Sequence, residues 1–170
     1  MSDGAPIPAS GVLLRAGRED DVSFIFRLLR MLAEEVGESE HFAADVADIL
    51  RDAFGEAPHF ETLIAEVEGR PAGLATFFLT YSTYKGRPCL YVNDLIVDPW
   101  ARGLSLGRLL MARICRIADS RKCCRVELRV LRDNPSRSFY ERIGMAPSGE
   151  VPYVIKDDDL ERLAATDLGD

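Results

Sequence analysis

Apolar residues recur along this chain with two alternating periods. Between residues 90 and 97 they run almost unbroken as Leu90, Val92, Leu95, Ile96 and Val97, the content of a buried strand. Beyond Asp98-Pro99 the spacing becomes helical. Leu106, Leu109, Leu110, Ile114, Ile117 and Ala118 follow i, i+3, i+4, with Arg108, Arg113, Arg116 and Arg121 between them as a solvated face. The same reading predicts a strand over 12–15, then a helix opened by Arg18-Glu19-Asp20-Asp21. That helix presents Val22, Ile25, Phe26, Leu29, Leu32, Ala33 and Val36 on one face and stops near Gly37. A second helix is expected over 41–54, ended by Gly55 and Pro58. Residues 62–67 and 73–81 read as a hairpin about Glu68-Gly69-Arg70-Pro71, followed by a polar loop over 82–87. After the long helix come a strand over 125–131, a short helix over 135–143, a last strand over 151–155 and a helical turn over 157–164. The pattern is that of an α/β fold with a mixed sheet, in which early hairpin-connected strands precede two strand–helix–strand crossovers.

Between the apolar strand and the long helix stands Arg102-Gly103-Leu104-Ser105-Leu106-Gly107. Such a loop offers a row of backbone N–H groups at a helix N-terminus, with glycines that permit close approach and Arg102 as a fixed positive charge. That chemistry suits an anion, most naturally a diphosphate. The glycines by themselves equally describe a strand-to-helix turn that binds nothing. The loop lacks the Gly-Lys-Ser/Thr ending of a nucleoside triphosphate loop and falls short of a dinucleotide fingerprint. Ligands of open α/β sheets sit at the carboxyl ends of strands, which places the loop beside residues 132–140.

Composition narrows the choice. A chain of 170 residues is expected to be one domain, here 11–166, behind a disordered lead-in over 1–10 without a signal-peptide pattern. With 47% hydrophobic and 29% charged residues, the chain is too apolar for disorder. A net charge of -7 argues against a nucleic-acid partner and fits a small cationic substrate. No stretch approaches the length of a membrane span. Cys89, Cys115, Cys123 and Cys124 show neither zinc-like spacing nor a disulfide framework, so no metal is expected. The thiols read as reduced, in a cytoplasmic protein, with Cys115 on the buried side of its helix. His41 and His59 are isolated and read as surface or cap residues.

The segment Val97-Asp98-Pro99-Trp100-Ala101-Arg102-Gly103-Leu104-Ser105-Leu106-Gly107 resembles the Arg/Gln-x-x-Gly-x-Gly/Ala loop of the GCN5-related N-acetyltransferases (GNAT). The resemblance covers nearly the whole chain after residue 11 and is closest to the diamine branch, which acetylates spermidine, spermine or thialysine. It is carried also by Asp52-Ala53-Phe54-Gly55-Glu56-Ala57-Pro58, by Thr80-Tyr81-Ser82-Thr83-Tyr84-Lys85-Gly86-Arg87, by Leu90-Tyr91-Val92-Asn93-Asp94-Leu95 and by Pro135-Ser136-Arg137-Ser138-Phe139-Tyr140. It implies a mostly antiparallel mixed sheet flanked by helices, acetyl-CoA as acyl donor and a homodimer. By resemblance, Arg102, Gly103, Leu104, Ser105, Leu106, Gly107 and Arg108 hold the diphosphate, and the backbone of Leu95, Ile96 and Val97 pairs with the pantetheine arm. Asp133 and Ser136 are further cofactor contacts. Tyr140 stands where the family has a general-acid tyrosine, although the residue alone reads equally as a packed aromatic. Asn93, Glu127, Tyr81, Glu34 and Glu35 are the candidate substrate contacts.

Four departures bear on substrate and base. Ser105 replaces the first glycine of Gly-x-Gly, where a Cβ strains the backbone or crowds phosphate, or a hydroxyl donates to it. Asn93 replaces a glutamate that helps remove the amine proton through water. An alkylamine with a pKa around 10.4 needs some base near neutral pH. Asp94 is adjacent but on the other face of the strand unless a bulge intervenes, and Glu127 is a substitute on the neighbouring strand. Arg132-Asp133 stands in place of Trp-Asn, and Pro152-Tyr153 in place of Gly-Trp. The expectation is therefore an acetyl-CoA-dependent N-acetyltransferase that acts on a small primary amine other than the polyamines, by direct attack in a ternary complex. The alternatives are a protein or peptide amine acceptor, and a non-catalytic acyl-CoA-binding module.

Overall fold

The computed structural model describes residues 11–166, so the expected lead-in at 1–10 lies outside the described residues. Five strands form one sheet in the order β1-β2-β3-β4-β5. They are β1 (Val12–Ala16), β2 (Glu61–Val67), β3 (Arg70–Ser82), β4 (Arg87–Val97) and β5 (Val126–Leu128). The first four pair antiparallel, and β5 pairs with β4 in parallel. The β2–β3 hairpin turns on Glu68 and Gly69, with φ of 52° and 79°. Positive φ at both central residues is what a two-residue turn between right-twisted strands requires.

The helices before the hairpin are α1 (Val22–Glu35) and α2 (Val46–Phe54). Ile25 and Leu28 of α1 and Ile49 of α2 pack on Ile64, Leu74 and Ile96 of the sheet. Alternation along the strands sends Ala65 and Gly73 to the opposite face, where α3 (Leu106–Ser120) lies. A Cβ at Gly73 would stand 3.2 Å from Leu110 Cδ1 and 3.5 Å from Ala65 Cβ, so glycine there lets α3 settle onto the sheet. Residues up to Asn134 make one compact unit, and a second begins at Pro135 and contains α4 (Arg137–Arg142) and α5 (Asp157–Ala164). No helix among the described residues is long and apolar enough to cross a membrane.

Several expectations are corrected. The helix expected over 41–54 starts at Val46, because Asp45 and Asp48 form a reciprocal cap. Asp48 N donates to Asp45 Oδ1 at 2.9 Å, and Asp45 N to Asp48 Oδ2 at 3.0 Å. Residues 39–41 form only a 3₁₀ turn. The loop expected over 82–87 is shorter, since Ser82 already pairs with Arg87. The strand expected over 125–131 stops at Leu128, whose partner Val92 is the last β4 residue before the strand bulges. Residues 151–155 form no strand, and the second crossover is absent. Val151, Tyr153 and Val154 are exposed, and alternation without a partner edge does not make a strand. Cys115 is exposed rather than buried. The inward face of α3 is Leu106, Leu110, Met111, Ile114 and Ala118, and Cys115 is turned off it by one residue.

Candidate active site

Two local features of β4 shape the site. Thr76 of β3 stands opposite Asp94 and Phe77 opposite Val92, so Asn93 is an extra residue, a β-bulge. The bulge brings the Asn93 and Asp94 side chains together, which strict alternation would forbid. Asn93 Nδ2 donates to Asp94 Oδ2 at 2.9 Å, and Thr76 Oγ1 donates to the same oxygen. Thr76 is buried, Asp94 half-buried and Asn93 exposed. Beyond the bulge, Leu95, Ile96 and Val97 pair with Ala75, Leu74 and Gly73 on one side only, because β5 has ended. A one-sided strand edge is a template for another extended backbone.

That edge runs into the loop before α3. Asp98 N donates to Ala72 O at 2.8 Å, which ties the strand end to β3. The Asp98 carboxylate, nearly buried, accepts from Arg27 of α1 at 2.5 Å. Residues 99–101 make one 3₁₀ turn, and Arg70 lies 4.2 Å over the Trp100 ring. Arg102 Nε donates to Val97 O at 3.2 Å, and its guanidinium pairs with Glu35 at the end of α1. Gly103 has φ of 85° with open space where a Cβ would stand. Ser105 has φ of 58° and ψ of 17°, left-handed for a residue with a Cβ, and makes no side-chain cap. The first helical bond is Leu109 N to Ser105 O, so the N–H groups of Leu106, Gly107 and Arg108 have no intrahelical acceptor. The donors and the glycine fit a diphosphate, which the Arg102 guanidinium would meet by turning from Glu35.

The remaining expected site residues are distributed as follows. Glu127 of β5 stands beside Tyr91, two residues before Asn93. It accepts from Thr80 Oγ1 at 3.1 Å and from Arg125 Nε at 2.6 Å. Glu34 pairs with Arg30 one turn back on α1, at 3.7 Å, and Glu35 with Arg102, so the two acids point to different partners. Tyr81 is exposed and lies five residues along β3 from Thr76, about 17 Å of strand. Asp133 is exposed at the end of the first unit. In the second unit Ser136 caps α4, and its carbonyl accepts from Phe139 N and Tyr140 N. Tyr140 is half-buried, with its ring edge-on to Phe139 at 5.2 Å. Among the described residues no cluster of His, Cys, Asp or Glu is arranged to hold a metal ion. Sequence reasoning missed Arg27 and Thr76, whose partners lie 71 and 18 residues away and leave no local signal.

Residues 24–145 match the model of the acetyltransferase (GNAT) family. The chain belongs to the GNAT family of acetyltransferases. It is 30% identical over 142 residues to thialysine N-epsilon-acetyltransferase of Bos taurus, covering 78% of this chain and 83% of that one. It is 33% identical over 134 residues to glucosamine 6-phosphate N-acetyltransferase of Trypanosoma brucei brucei, covering 77% and 86%. An integron cassette protein from the mobile metagenome of V. cholerae superposes with a TM-score of 0.76 at 22% identity, over 93% of this chain and 100% of that one. The sheet of four antiparallel strands and one parallel strand, flanked by helices, is the GNAT fold. The diamine-branch resemblance is met by the thialysine relative. GNAT enzymes take acetyl-CoA as donor, and the protein is an N-acetyltransferase.

Proposed function

We propose that this enzyme acetylates a small primary amine by direct attack on acetyl-CoA in a ternary complex. The observation that supports the reading is the one-sided edge of β4 after the Asn93 bulge, running into the unpaired N–H groups of α3. The loop donors of Leu106, Gly107 and Arg108, with Arg102 and Arg108 side chains, would hold the diphosphate. Gly103, Leu104 and Ser105 would shape the cradle, and Leu95 to Val97 would take the pantetheine arm. When bound, acetyl-CoA supplies an acetyl group activated as a thioester.

Asp94 is assigned the role of base. Its Oδ2 is oriented by Thr76 and by the Asn93 amide, and Asn93 cannot itself take a proton. Glu127 is the weaker candidate, since a proton on it would have to displace Arg125 or Thr80. Asp94, acting directly or through water, accepts the ammonium proton. Tyr140 is assigned the role of general acid that returns a proton to the departing thiolate. Attack is direct, with none of the four cysteines used: Cys115 is solvent-facing on α3, Cys123 follows the end of α3, and Cys89 and Cys124 lie at the start of the β4–β5 pairing. The net charge of -7 favours a cationic acceptor, toward which Glu127 and Glu34 would have to release Arg125 and Arg30. We further propose that residues 11–166 act as one domain with Asp133 and Ser136 as cofactor contacts, in a cytoplasmic homodimer. The family match crossing both units, 24–145, supports the single domain.

The test is thiol release from acetyl-CoA with diamines, polyamines, thialysine, lysine, aminoglycosides, glucosamine 6-phosphate and a basic peptide, beside calorimetric CoA binding. Turnover of one small amine is expected. Asp94→Asn and Tyr140→Phe should each lower kcat about 10²-fold or more with CoA affinity kept. Absence of CoA binding would sink the loop assignment, and full activity of Asp94→Asn would return the base to Glu127. Light scattering of the full chain tests the dimer, a monomer mass being the refuting result.

A further inference from the structure

Cys89 and Cys124 lie 35 residues apart in sequence, and their Sγ atoms are 3.2 Å apart. Cys89 is buried in β4, opposite Thr80. Cys124 is half-buried and precedes β5. Backbone bonds on both sides hold the pair in register: Cys124 N donates to Pro88 O at 2.8 Å, and Leu90 N to Arg125 O at 3.0 Å. The neighbouring Cys123 is bound elsewhere, its N–H donating to Ala118 O at the end of α3. The proposed chemistry of acetyl transfer uses neither Cys89 nor Cys124, and all four cysteines are free thiols in this structure.

We propose that Cys89 and Cys124 form a peroxide-sensitive modification site that closes into a disulfide staple between β4 and β5. Access sets the order of events. The Cys124 thiolate, the more exposed, attacks a peroxide oxygen. The O–O bond breaks, hydroxide leaves and takes up a proton to become water, and Cys124 becomes a sulfenic acid. Cys89 then attacks Cys124 Sγ as its own proton departs. The S–S bond forms, the S–O bond breaks, and a second water leaves. Overall the two thiols lose two electrons and two protons, and hydrogen peroxide is reduced to two waters. Burial pushes the Cys89 thiol up, which keeps it protonated and poor as the first nucleophile, and what makes it the resolving thiol is its Sγ, already 3.2 Å from Cys124 Sγ.

The consequence follows from how little else joins these strands. The β4–β5 ladder is only the three pairs from Leu90–Val126 to Val92–Leu128. A covalent bond at its start closes a chain segment that includes all of α3, and it sits beside Thr80, which holds Glu127. Restricting a segment of this length in the unfolded chain raises the melting midpoint by about 10 °C for a protein of this size.

The experiment uses the full chain, reduced, treated with hydrogen peroxide at stoichiometric level and then freed of it. Expected are a fall from four titratable thiols to two, a non-reducing peptide map that joins Cys89 to Cys124, and a raised melting midpoint that dithiothreitol reverses. Cys89→Ser should abolish the cross-link and the shift and leave a sulfenic acid on Cys124 that dimedone traps, while Cys115→Ser should behave as wild type. The proposal is overturned if four thiols survive, if the map joins Cys123 or Cys115 instead, or if the cross-link forms without raising the midpoint.

Discussion

Ser105→Gly isolates the cost of placing an ordinary residue at the entrance of α3. Ser105 has φ of 58° and ψ of 17°, and its hydroxyl makes no cap to the helix. An L-residue in this region pays about 1–2 kcal/mol against its Cβ. Glycine removes that cost but adds about 0.4–1 kcal/mol of unfolded-chain entropy. The net is a stabilisation of about 0.5–1 kcal/mol, read as a melting midpoint raised by about 1–4 °C and a higher urea midpoint at unchanged m. Ser105→Ala keeps the Cβ and should stay within about 0.5 kcal/mol of wild type. If glycine destabilises, or if alanine gains as much as glycine, the strain argument at Ser105 is wrong.

Other parts of the scaffold give further expectations. Arg27→Met takes the guanidinium from the nearly buried Asp98, and because Arg27 is itself half exposed the cost is about 1–2 kcal/mol. The loop anchor loosens, so KM for acetyl-CoA should rise with kcat kept, and adding Asp98→Asn should recover most of the lost stability; a double variant no better than the single refutes the pairing. Asp21 accepts from Arg15 at 2.6 and 2.8 Å and from Arg18 N at 2.8 Å, and the Arg15 guanidinium holds its carboxyl below the usual range. A carboxyl depressed in the folded state contributes stability that is complete above the unfolded value near about 4 and is lost as pH falls through the folded one. Asp21→Asn should therefore cost about 1–2 kcal/mol at pH 7 and progressively less as pH falls below the unfolded carboxyl value, and urea unfolding with an undiminished acid slope in the variant would contradict this.

Much of the fold was legible because its signals are local. The helical period of Leu106, Leu110, Ile114 and Ala118 and the apolar run of β4 each repeat over enough residues to outweigh single exceptions. The loop between them shows its chemistry in its residue types, and the whole was sufficient to recognise a GNAT enzyme and its diamine branch. Local periodicity misleads where a cap overrides it or where no partner strand answers it. Asp45 and Asp48 start α2 later than its apolar residues suggest, and Val151, Tyr153 and Ile155 alternate like a strand without making one.

The chain by itself determined most of its elements, the glycine-bearing turn before α3 and the family, because periodicity, caps and glycines act within a few residues. Only the tertiary structure decided that Asn93 and Asp94 share one side of the sheet edge, where Thr76 and the Asn93 amide both donate to Asp94 Oδ2. The Asn93 bulge exists in the register of β4 against β3, and register is a property of two strands rather than one. The same holds for Arg27 on Asp98, Glu35 on Arg102 and Cys89 against Cys124, partners 71, 67 and 35 residues apart. Their meeting is set by how helices and strands pack, which no spacing along the chain encodes.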